Sequence, residues 1–144
     1  RGPSFGRQLT SAAAASQVEA PKRTEQEFPM PSQGKYLFVV SMDVDPAKEA
    51  LFNEVYDKEH VPLLKKVLGV YNVTRAAGED FNFAMGGKQE KKTHSAARYM
   101  AIYELESPAV VASKEWASAV EAGRWPGEVR PFTHNRSHAM FRIR

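Results

Sequence analysis

The chain contains no cysteine. A disulfide framework, a thiolate nucleophile and any zinc–thiolate or iron–sulfur centre are therefore excluded, and several enzyme classes with them. Long apolar runs are missing too. The longest, Tyr36 to Val40, falls far short of the roughly 20 residues that span a bilayer, so no membrane partner is expected. Charge of one sign is also scarce: 20 Lys and Arg face 17 Asp and Glu, and the formal +3 is scattered rather than gathered into a face that would attract nucleic acid. What is present is ordinary for a globular chain, with 42% hydrophobic and 26% charged residues over 144 positions, enough for about one domain. A soluble, cytoplasmic protein is expected.

Residues 1–33 differ from the rest. Pro3, the Ala12 to Ala15 run, Pro21, Pro29 and Pro31 alternate with polar and charged side chains that offer little apolar surface to offset ordering entropy. This segment reads as a flexible leader. Arg1 and Arg7 without an acid before Glu19 suit an organelle-targeting remnant as well as a leader with no targeting role, and the second is expected. The folded domain is then 34–144.

Within that domain, Tyr36 to Val44 is apolar on both alternating faces, which marks a central strand. Asp45-Pro46 is a cap-then-proline signal for a first helix. Leu51, Phe52, Val55, Tyr56 and His60 fall on one stripe of it, and Pro62 is expected to end or kink it near His60 and Val61. A short second turn should then stop at Gly69. Val70 to Ala77 alternates as a second strand, with Tyr71, Val73 and Arg75 on one face. Gly78 to Ser95 reads as a long loop, in which Phe81, Phe83 and Met85 can extend the strand, cover a pocket or touch a partner. Arg98 to Leu105 is a third strand, Ser107-Pro108 opens a second helix, Trp125-Pro126-Gly127 is a turn-rich connection, and Phe132 to Ile143 offers a fourth strand.

The order β-α-β-β-α-β predicts an α+β, ferredoxin-like domain: a four-stranded antiparallel sheet with two helices on one face. Two helices leave the second face bare, although the first strand is apolar on both sides. A homodimer in which two sheets pack together answers that exposure. The same strand order occurs in RNA-recognition domains, but Ala97 to Glu104 lacks their glycine and places Ala101 where a second stacking aromatic belongs, so no nucleic-acid partner is expected.

The run from Lys35 to Arg144 resembles the dimeric α+β barrel superfamily, and within it EthD-like bacterial small proteins. The likeness is carried by Tyr56-Asp57-Lys58-Glu59-His60-Val61-Pro62, by the Leu68-Gly69-Val70 exit, by Tyr99 to Leu105 and by Glu115-Trp116. It implies a homodimer and a small-molecule ligand. The superfamily includes isomerases, lyases and monooxygenases as well as members without a known reaction, so the resemblance points to fold more than to chemistry.

The candidate catalytic set is His60 with Tyr56 and Asp57, which helical spacing makes neighbours. Imidazole titrates near neutral pH and can move a proton, with Asp57 or Glu59 orienting it and Tyr56 donating a hydrogen bond. The alternative is a purely structural His60 that bonds a carbonyl freed by Pro62. Arg75, Tyr103, Arg136 and His138 are candidate ligand-binding residues. On a regular strand Arg136 and His138 face one way and Asn135 and Ser137 the other, and either pair can look inward; Arg136, Arg142 and Arg144 are expected first as charges that protect a solvated edge strand. Trp116 and Trp125 read as packing anchors. No cofactor is expected, although a single histidine can serve haem. No metal site is expected either, since His134 and His138 would lie about 13 Å apart along a strand. A non-catalytic oligomer that docks a partner through the 78–95 segment remains as the alternative function.

Overall fold

The computed structural model describes residues 34–144; the expected leader at 1–33 lies outside the described residues. Its strands are β1 (Tyr36–Val44), β2 (Val70–Ala77), β3 (Phe81–Met85), β4 (Lys88–Lys92), β5 (Tyr99–Leu105) and β6 (Thr133–Arg142). Its α-helices are short: α1 (Glu49–Val55), α2 (Val61–Lys65) and α3 (Lys114–Val120). A four-stranded sheet has the order β2-β5-β1-β6, every neighbouring pair antiparallel. The strand that is apolar on both faces, β1, thus lies inside the sheet as expected. The result is a mixed α+β fold, with the helical segments packed over the face that carries Val40, Met42, Ala101, Tyr103 and Leu105.

Helix formation differs from the simplest expectation at Pro62. The chain passes from a 3-10 turn (Pro46–Lys48) through α1 into a π turn (Tyr56–His60) and continues directly into α2. A proline inside a helix has no N–H to donate and crowds the carbonyl four residues back. Here the widened turn, in which the Val61 N–H reaches the Tyr56 carbonyl, makes the adjustment just before the proline, so the helical run neither stops nor breaks. Its exit is the expected glycine, Gly69, at φ 94°. Asp45 does not cap with its carboxylate; its backbone carbonyl accepts the Lys48 N–H at 2.8 Å.

The second helical region is split. Ser107 Oγ accepts the Ala109 N–H at the head of a 3-10 turn (Pro108–Ala112), and Ser113 Oγ accepts the Trp116 N–H at the head of α3. The segment read as a turn-rich connection forms a π turn (Trp125–Val129) and a 3-10 turn (Arg130–Phe132). The expected long loop at 78–95 is corrected as well. β3 and β4 form their own two-stranded hairpin, closed by Gly86 and Gly87 at φ 63° and 79°. Two consecutive residues of positive φ are what a tight hairpin turn requires, and glycine supplies them without strain.

Two bulges alter which side chains share a face. In β2 the pairing shifts between Val70 and Asn72, so Val70 rather than Tyr71 joins Val73 on the core side, and Tyr71 is exposed. In β6 the pairing shifts opposite Met42: Ser41 pairs with Ser137 but Asp43 with His134. Asn135 and Arg136 together oppose one residue, and Asn135 takes the left-handed conformation at φ 54°, its amide donating to Asp43 at 2.9 Å. Thr133 therefore lies on the same face as Arg136 and His138, while His134 turns to the opposite face from His138.

This geometry sets an expectation for position 135. Asn135→Gly should change unfolding free energy by less than about 1 kcal/mol, whereas Asn135→Val should cost about 1–2 kcal/mol or more, because a β-branched residue resists positive φ. Urea unfolding of the two variants beside the parent protein checks it.

Candidate functional site

The π turn at Tyr56–His60 directs Tyr56 and His60 inward, and both are buried. Below them β1 and β5 present Phe38, Met42 and Tyr103, and across from them stand Trp116 and Trp125; together these side chains enclose much of a cavity of about 410 Å³. Val40, Leu64 and Val120 add apolar lining, and Arg130, Arg136 and His138 add charged and polar groups. That volume lies within the range of small-molecule sites, roughly 300–1,000 Å³, and the wall combines apolar and aromatic side chains with two arginines, two histidines and two tyrosine hydroxyls.

His60 is 5% exposed. Its ring stacks on Trp125 with centroids 4.3 Å apart and an interplanar angle of 18°, and meets Tyr56 edge-on at 5.1 Å. Its Nδ1 is buried without a hydrogen-bond partner, so the carbonyl-capping role considered for this histidine has no counterpart among the described residues. Burial lowers its pKa to about 4, and the positive charges of Arg130 and then Arg75 act in the same direction. The imidazole is accordingly neutral at physiological pH and keeps an open lone pair or N–H.

The histidine is held by its neighbours rather than by a bond of its own. Glu59 accepts the backbone N–H of Arg124 at 2.9 Å and its Nε–H at 2.6 Å, while Glu54 accepts from the same guanidinium at 3.1 Å. These contacts fix Arg124 against the π turn, and the next residue, Trp125, is thereby set on the imidazole. Tyr56 and Tyr103 bring their hydroxyls to 3.5 Å from each other. Burial raises both phenol pKa values, so both groups stay protonated and can donate.

Of the residues singled out from sequence, the cavity brings together Tyr56, His60, Tyr103, Arg136 and His138. Asp57 and Arg75 are placed behind it. Asp57 accepts from Arg75 at 2.8 Å, Arg75 also donates to Asn53 at 3.0 Å, and its guanidinium lies 4.3 Å from the Tyr56 ring centroid. The carboxylate thus anchors the arginine that backs Tyr56, and does not orient His60. Nothing in the sequence pattern points to Arg130, and the two tryptophans, expected to be packing anchors, line the cavity as well. Trp125 reaches the cavity through the π turn at Trp125–Val129, which nothing in the local pattern announces, Arg130 from the 3-10 turn that follows it, and Trp116 from α3.

No family model matches the chain, and no curated protein matches it. Among solved structures, the crystal structure of an ethyl tert-butyl ether d (EthD) family protein from Bacillus halodurans C-125 is similar, with a TM-score of 0.50 and 11% identity over 76% of this chain and 99% of that one. At this identity the likeness is one of fold alone, and it supports an EthD-like α+β arrangement.

The displaced titration of His60 has a measurable sign. Between pH 6.5 and about 4 the unfolded chain binds a proton at this position that the folded chain refuses, so acid lowers stability across that window, by an amount on the order of 3 kcal/mol when complete. His60→Phe should keep the stack on Trp125 and flatten this part of the profile. Urea unfolding at pH 7, 5.5 and 4.5 for both proteins measures the difference.

Proposed function

We propose that the cavity binds a small apolar or aromatic molecule and that His60 moves a proton to or from it without a cofactor. The observation that carries this reading is a neutral imidazole, buried beside a 410 Å³ aromatic cavity, with a ring nitrogen left unpaired. An unpaired buried polar atom costs stability and persists where something else supplies its partner. In this reading His60 accepts a proton from an acidic C–H of the ligand, and a Tyr56 or Tyr103 hydroxyl donates to the oxygen on which negative charge collects. The EthD-like fold of the similar crystal structure is compatible with such a site and says nothing of the substrate.

The same reading takes the domain as ferredoxin-like, with the hairpin β3–β4 inserted between its second and third strands, and as half of a dimeric barrel. Support comes from the sheet face away from the helices. Leu37 pairs with Phe141 and Glu104, and Val39 pairs with Ile102 and Ala139, so an apolar cluster of Leu37, Val39, Ile102, Ala139 and Phe141 lies there beside one carboxylate. Phe141 is 54% exposed and Met100 37% in the single subunit. A second copy packed sheet to sheet removes that surface from water. The second reading, a non-catalytic interaction protein, draws on the hairpin, where Phe81 and Met85 are both more than half exposed.

Deuterium exchange into 2-tetralone, an apolar bicyclic ketone with acidic α hydrogens, separates the two readings. The protein should bind it and accelerate exchange in D2O, and His60→Ala should bind it but lose the acceleration by about 100-fold. Absence of both binding and exchange would favour the interaction reading. For assembly, sedimentation at micromolar concentration should give twice the subunit mass, and Val39→Lys should give one subunit; a single-subunit mass for the parent protein removes the dimer.

A further inference from the structure

The charges around the cavity are one-sided. Its lining contains two arginines and no aspartate or glutamate. The arginines are not equivalent. Arg130 donates to both carboxylate oxygens of Glu121, at 3.2 and 2.7 Å, and to the Val120 carbonyl at 2.9 Å, so its charge is already matched. Arg136 donates to the neutral hydroxyl of Thr133 at 3.1 Å, and among the described residues no carboxylate pairs with it. Thr133 in turn donates to the Arg130 carbonyl at 2.8 Å. A short relay of hydrogen bonds therefore steadies an arginine whose charge is unmatched, at a cavity walled otherwise mainly by aromatic and aliphatic side chains.

The β6 bulge makes this arrangement. With regular alternation, Arg136 would point away from Thr133. The left-handed Asn135 places both on the cavity face, with His138 two residues further on and stacked against Phe38 at 5.9 Å. A second observation, independent of the arginine, points to a ligand in the same space: the unpartnered Nδ1 of His60, in a residue more than nine-tenths buried.

We propose that the ligand is a planar conjugated carboxylate, its ring among Phe38, Met42 and Trp116 and its carboxylate on Arg136. This rests on the small-molecule reading of the cavity and narrows it to an anion. Guanidinium is suited to the role because its planar fork matches a carboxylate in two-point contact. The apolar wall supplies burial but cannot distinguish an acid from its neutral isostere, so selection falls to Arg136. Arg130, being tied to Glu121, contributes field rather than a direct contact.

A matched pair of probes tests the idea by isothermal titration calorimetry on the full chain: 2-naphthoate and 2-naphthamide, alike in shape and different in charge. The protein should bind the carboxylate about tenfold or more tightly than the amide. Arg136→Gln, a change at an exposed side chain, should bring the carboxylate down to the amide while leaving the amide unchanged. Equal affinities in the parent protein would overturn the anion proposal and leave the cavity reading standing. A preference that survives in Arg136→Gln overturns the assignment to Arg136. Binding of neither probe at millimolar concentration overturns the anion proposal and the cavity reading together.

Discussion

Pro62 cannot donate the hydrogen bond that a helix interior asks of it, and the organisation of the site depends on how the chain meets that constraint. The helical run widens for one turn before the proline instead of ending. The widened turn contains both Tyr56 and His60. The backbone adjustment and the two central polar groups of the cavity are thus the same five residues. A helix that simply stopped at Val61 would leave α2 without continuity, and Leu64, which is fully buried, would lose its approach to the core.

The remaining wall depends on ion pairing that would be minor elsewhere. Exposed salt bridges contribute little to stability, since solvent screens them and side-chain entropy opposes them. Glu59 is partly exposed, yet it gathers a backbone N–H and a guanidinium from Arg124 and so sets the position of the next residue against His60. The contribution is geometric. Arg75 is comparable on the other side of Tyr56: Asp57 and Asn53 hold its guanidinium over the phenol ring, 4.3 Å from its centroid. Both carboxylates sit in the same helical stretch as the histidine, and each acts on it through an aromatic neighbour.

Much of this was legible from the order of residues. Apolar side chains at successive positions identified β1 as a central strand, and the stripe Phe52, Val55, Tyr56, His60 identified the face of the first helix that turns inward, because periodicity reports burial directly. Tyr103 was a candidate from its place on a strand, and alternation grouped Arg136 with His138 without showing which of the strand's two faces looks inward. The losses have a common cause. Alternation along a strand predicts faces only while the pairing is regular, and the bulges at Tyr71 and Asn135 each displace it by one residue. Helical spacing made Asp57 a neighbour of His60, but only three-dimensional pairing could show that Arg75 claims it. The hairpin β3–β4 was concealed because its lysine-rich half, read alone, has the composition of a solvated loop, and its pairing with Phe81–Met85 is not a local property.

The bulge at Asn135 also means that β6 is written in two phases. Beyond it, even-numbered residues such as His138 and Met140 look toward the helices; before it, the odd-numbered Thr133 does. A substitution in this strand therefore has no meaning for core or surface until its side of Asn135 is known. The hydrogen bond from Arg136 to Thr133 crosses the bulge, so the arginine keeps its aim only while the two halves hold their relative phase.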